Sequence, residues 1–157
     1  MTAPLTIQAA DVRAAQAAWG DGVIWIGEAP TWEEAHARAS RFVQERYFIE
    51  GGSLLFCPTM AADTQFRSTL PDAVSYFVGR SEEHPEDQGF ALQSWTGIRF
   101  ENHGVVCRGG VAWAMGNYFF KRADNTGLKV EFSFVFVPDE SGHLRIQLHH
   151  SALPFDP

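Results

Sequence analysis

Near the C-terminus of this chain lie two adjacent histidines, His149 and His150. Imidazole is the side chain best suited to moving a proton near neutral pH. Both belong to the run Leu144-Arg145-Ile146-Gln147-Leu148-His149-His150-Ser151, whose composition is that of a strand. Neighbours on a strand point to opposite faces, so one site receives one imidazole, and the pair is not a chelate. Glu131 is a lone carboxylate in the apolar run Val130–Val137. An apolar setting raises a carboxylate's pKa toward values useful in acid–base chemistry. Asn117 and Tyr118, also isolated among apolar residues, offer hydrogen-bond donors. Arg99, between Ile98 and Phe100, can grip a substrate carboxylate bidentately. Each has a plainer reading: His149 with Glu131 as a polar pair on a sheet surface, and Arg99 paired with Glu101 or Glu131. Structural roles are the commoner ones for charged residues in strands.

Other chemistries are disfavoured by composition. Cys57 and Cys107 are 50 positions apart and match no metal or redox spacing, so no metal site and two reduced structural thiols are expected. Gly109-Gly110 is a hairpin turn with no helix after it, hence no phosphate loop, and no cofactor motif is present. A formal charge of −7 lacks the basic surplus that draws nucleic acid or anionic membranes. No apolar run reaches the roughly 18 residues of a spanning helix, and Met1–Leu5 does not resemble a secretory leader. A cytoplasmic location is expected. At 157 residues and 45% hydrophobic content, the chain fits one domain spanning 1–157.

The elements that must position these residues follow from periodicity. Apolar residues at helical spacing predict one helix from Ile7 to about Glu28, locally weakened at Gly20-Asp21-Gly22. Thr31 with Glu34 resembles a capping box and opens a second helix, to about Phe48, with Tyr47 on its apolar stripe. Leu54–Cys57 before Pro58 reads as an edge strand, and Pro71–Val78 as a short third helix. Ser81–Asp87 reads as an exposed acidic loop. Then come four strand-like runs, Phe90–His103, Val111–Phe120, Lys129–Val137 and Leu144–Ser151, joined by turn formers into an antiparallel meander. Helices first and a meander last is the α+β pattern. Pairing Phe136 with Leu144 puts Phe132, Phe134, Phe136, Ile146, Leu148 and His150 on the core face, and His149 opposite. A one-residue difference in the loop would exchange that set. The third-last run is apolar on both sides, Trp113 and Met115 on one, Ala112, Ala114 and Tyr118 on the other. Helices cover one sheet face, and a homodimer through the other is expected. Trp95, Trp113, Phe66, Tyr76 and Phe90 are candidates to line a cavity or simply to fill the core.

This order of elements resembles the nuclear-transport-factor-2-like (NTF2-like) superfamily. Gly142-His143-Leu144-Arg145-Ile146, followed by His-His-Ser and Pro154, is similar to the last hairpin of the calcium/calmodulin-dependent protein kinase II association domain and its stand-alone bacterial relatives. The resemblance implies a cone-shaped fold, three N-terminal helices packed on a curved antiparallel sheet, a pocket between them and dimerisation through the sheet. Phe134 and Asn117 stand where the kinase module carries arginines, so its anion pocket is not carried over. Three functions remain open: a homodimeric domain that binds a small molecule, a cofactor-free isomerase, dehydratase or hydrolase using a pocket carboxylate or histidine, and an assembly module. Candidate ligand-binding residues are Asn117, Tyr118, Glu131, His149, His150 and Arg99.

Overall fold

Glycine explains the first helix better than it weakens it. In the computed structural model, which describes residues 6–157, α1 (Ala9–Gly27) runs unbroken through Gly20-Asp21-Gly22. A Cβ at Gly22 would lie 2.4 Å from the Phe42 ring, so the bare backbone is what lets the second helix approach. The cost of glycine in a helix, about 1 kcal/mol, is offset by that packing. α2 (Trp32–Arg46) starts behind Thr31, whose Oγ accepts from the Glu34 N–H at 3.1 Å. It ends at Tyr47, which is already extended and bridges Ile146. α3 (Leu70–Val78) starts behind Thr69 with Pro71 in its first turn, where a missing N–H costs nothing. Among the described residues no helix is long and apolar enough to cross a membrane.

Five strands make one sheet: β1 (Leu55–Cys57), β2 (Trp95–Arg108), β3 (Val111–Arg122), β4 (Gly127–Pro138) and β5 (Leu144–Ala152), in the order β1-β5-β4-β3-β2. β1 is the expected edge strand and runs parallel to β5, whereas the other pairings are antiparallel. Phe90–Leu92 is a short 3-10 turn, and β2 begins only at Trp95. The helices and the aromatic residues of the inner face, Tyr118, Phe120, Phe132, Phe134 and Phe136, form one buried core.

Two expectations are corrected. Phe136 pairs with Ile146, not Leu144, while the preceding Val135 pairs with Leu148, so Gln147 is an extra residue in β5. Such a bulge shifts the alternation by one: His149 and Ser151 turn inward with Phe134 and Phe132, and His150 turns out. The acidic loop is anchored rather than free. Asp87 is buried and accepts from the two terminal guanidinium nitrogens of the fully buried Arg67, at 2.7 and 2.8 Å, and from the Ser75 hydroxyl at 2.5 Å. Glu86 accepts the N–H groups of Ala62, Asp63 and Thr64, and these hold its carboxyl below the usual range. The two loops on either side of α3 are thereby fastened to each other.

Candidate active site

At the centre of the inner face, β3 and β5 bring three polar groups together. Tyr118 reaches across β4, and its hydroxyl meets His149 Nε2 at 3.1 Å and the Ser151 hydroxyl. Ser151 Oγ is 3.0 Å from the same Nε2, so the three close a triangle. The other ring nitrogen, Nδ1, is 2.9 Å from the Tyr47 hydroxyl, which accepts from the Trp19 indole N–H at 2.9 Å. Phe134 and Phe56 stack on the two faces of the imidazole, at 4.2 and 5.0 Å between centroids. The ring is therefore held in place and buried.

Burial dominates the electrostatics. It holds His149 down at about 3, from an ordinary 6.5, and the nearby His150 pushes the same way. The same burial raises Tyr47, Tyr76 and Tyr118, while the Thr59 hydroxyl opposes the rise at both Tyr76 and Tyr118. All three phenols and the imidazole are neutral at physiological pH. The triangle faces a space lined also by Trp19, Phe56, Thr59, Tyr76 and Phe90. That space is about 10 Å³, roughly the room one water's centre needs. Tyr76 and Phe90 also line a second hollow of about 130 Å³ with Met60, Glu86 and Gln93.

Of the residues expected to form a site, Tyr118 and His149 meet here. Arg99, Asn117, Glu131 and His150 lie on the opposite, outer face. There Arg99 pairs with Glu101, Asn117 is opposite Glu131 in the β3–β4 ladder, and Glu131 and His150 are exposed. His149 and Glu131 therefore do not pair. Of the candidate lining aromatics, Tyr76 and Phe90 line the cavity, whereas Trp113 and Phe66 are exposed, at 44% and 67%. Sequence reasoning missed Ser151, Thr59 and Tyr47 as site residues. The signal for Ser151 was its two-residue spacing from His149, which places both on one face.

The donor set at the triangle is two alcohol-type oxygens and one nitrogen that is already hydrogen-bonded, without a thiolate, a carboxylate or a second imidazole, which is a poor zinc site. Among the described residues, Asp72, Glu83 and His84 are the group whose possible ligand atoms cluster, within 4.8 Å of one another. None of the three lines the cavity. His84 Nε2 is 2.8 Å from Asp72 Oδ1, which already accounts for that contact.

A curved sheet with three helices roofing its concave face, and a small cavity under the roof, is the NTF2-like fold. A solved structure named for the calcium/calmodulin-dependent protein kinase type II association domain, from Thiobacillus denitrificans, superposes with a TM-score of 0.57 at 10% identity, over 98% of this chain and 100% of that one. Other NTF2-like structures superpose similarly, which supports the fold alone. The sequence is more specific: residues 10–153 match the family model of the metal-independent carbonic anhydrases, and the chain belongs to that family. It is 36% identical over 154 residues to the metal-independent carbonic anhydrase of Nostoc sp. (strain PCC 7120), covering 96% of this chain and 75% of that protein. The crystal structure of a cyanobacterial iota-carbonic anhydrase in complex with bicarbonate superposes with a TM-score of 0.93 at 34% identity, over the whole of both chains.

Proposed function

We propose that this chain interconverts carbon dioxide and bicarbonate in the cavity beneath His149, without a metal. The observation that carries this reading is the closed triangle of Tyr118, His149 and Ser151, neutral and buried, facing a small cavity, in a chain of this family. The apolar walls of Phe56, Phe90 and Trp19 suit an apolar triatomic gas. The hydroxyls on the other side suit water and the oxygens of bicarbonate.

Both ring nitrogens of His149 are engaged and burial suppresses its basicity, which favours a mechanism without an imidazole base. Protonating a group with a pKa near 3 costs about 5 kcal/mol at pH 7, so the imidazole does not take the proton from the attacking water. A hydroxyl can do so while giving its own away. As the water oxygen bonds to the carbon of carbon dioxide, a water proton passes to Ser151 Oγ and the Ser151 proton passes to one oxygen of the gas. The C–O bond forms, one C=O π pair takes up the proton, and Ser151 ends as it began. The product is carbonic acid, which leaves and ionises in solvent. Tyr118 and Thr59 orient the reactants, and that fixed geometry is the larger share of the acceleration.

Protein stripped with chelator and verified metal-free by elemental analysis is expected to accelerate carbon dioxide hydration in a stopped-flow indicator assay. Ser151→Ala is expected to lose about a hundredfold in kcat/KM, the scale of one lost proton-transfer group. Wild-type protein that never exceeds the buffer rate, or activity that disappears on metal removal, would overturn the proposal.

A further inference from the structure

From α1 to the cavity, each buried hydrogen bond can be given a direction, and the directions settle what His149 presents to a ligand. An indole N–H only donates. Trp19 Nε1 therefore donates to the Tyr47 oxygen at 2.9 Å. Tyr47 is wholly buried, and its own O–H needs an acceptor. His149 Nδ1, at 2.9 Å, is the group in reach. The opposite arrangement would aim two N–H groups at one phenol oxygen and orphan the phenol proton among Phe42 and Phe56, the rings packed beside it. In a neutral ring with Nδ1 accepting, the proton is on Nε2.

We propose that Tyr47 is a positioning residue: it holds His149 with its proton on Nε2, making the imidazole a hydrogen-bond donor toward Ser151 and Tyr118 and denying it the role of a base. With Nε2–H donating to one of the two hydroxyls, at 3.0 or 3.1 Å, and one hydroxyl donating to the other, one hydroxyl proton is left to point into the cavity. The triangle then offers the cavity a hydroxyl donor and no basic nitrogen, which favours ligands with acceptor oxygens, small carboxylate or carbonate anions, over amines. Its kinetic consequence rests on the carbon dioxide reading above; the tautomer does not.

The test is a long-range nitrogen–proton correlation spectrum of uniformly labelled protein, with the His149 signal assigned by its loss in His149→Gln. The expected wild-type pattern is an Nε2–H tautomer, unchanged from pH 5 to 8. In Tyr47→Phe the ring is expected to shift to a mixture or to the Nδ1–H form. The hydration kcat should fall by at least about a hundredfold with KM little changed, the scale of a lost proton-transfer geometry. Trp19→Phe, which frees the Tyr47 oxygen to accept from Nδ1–H, should also yield a mixture. A wild-type ring with its proton on Nδ1, or protonated at neutral pH, overturns the proposal even if neither variant folds. So does an unmoved tautomer in a folded Tyr47→Phe. An Nε2–H ring that shifts as expected in a protein that hydrates no carbon dioxide would uphold the role of Tyr47 and sink the catalytic reading.

Discussion

Phe134 and Phe56 stack on the two faces of His149 and deny its charged form solvent, and the consequence should be measurable as stability. The unfolded chain protonates this imidazole near 6.5, while the folded chain holds off to about 3. Between those values the unfolded state binds one more proton, so acid favours unfolding. The contribution of His149 is complete above about pH 6.5 and declines by about 1.4 kcal/mol for each pH unit below it. Urea midpoints at pH 7 and pH 5 should therefore differ more for wild type than for His149→Gln; equal differences would show that the ring titrates while folded. Tyr118 and His149 were legible as candidates because each is a polar group in an apolar strand. The same reasoning named Asn117, Glu131, Arg99 and His150 with equal force, because type alone does not tell one sheet face from the other. Tyr47 was hidden by its own ring. On a helix stripe a tyrosine reads as core, and its hydroxyl acquires meaning only from Trp19 and His149, 28 and 102 positions away.

Elements were read more securely than the junctions between them. The three helices, the edge strand before Pro58 and the meander follow from periodicity, but the extra residue at Gln147 has no mark in Leu-Arg-Ile-Gln-Leu-His-His-Ser. Either phase buries Ile146 and one histidine, and the choice is made by long-range pairing with β4 and β1. The glycines of α1 show the opposite case. Gly20-Asp21-Gly22 resembles a turn, yet the apolar spacing through Trp19, Val23 and Ile26 was the better guide, since all three are buried on one helix. Gly22→Ala should gain about 1 kcal/mol of helix propensity and lose about 2 kcal/mol to overpacking against Phe42, because the ring is 97% buried and has nowhere to go. A net loss of about 1 kcal/mol lowers the Tm by about 2–4 °C in a domain of this size. Calorimetry checks it, and an unchanged or higher Tm would mean that α1 and α2 have slack between them.

At the scale of the molecule, the outer sheet face is what the fold leaves unexplained by itself. Residues in lateral register form a row across all five strands, Val106 and Trp113, then Val135, Leu148 and Leu55. Val106, Trp113 and Leu55 are 48%, 44% and 60% exposed, and Met115 in the next row is 58% exposed. A continuous apolar band of this kind is uncommon on a monomer's surface. Beside it, Arg99 and Lys129 flank Phe119, while Glu101 and Glu131 flank Asn117, so two faces related by a two-fold axis can set opposite charges against each other at the rim of an apolar centre. We propose a homodimer through this face, burying on the order of 800 Å² per protomer as stable interfaces do. Light scattering should return twice the chain mass at micromolar concentration. Trp113→Glu, in this row and outside the core, should return one chain mass with an unchanged far-ultraviolet circular dichroism spectrum, since a carboxylate loses its hydration on dimerising and gains no partner there. Wild-type protein that stays at one chain mass up to high concentration would leave the apolar row without a second copy to cover it.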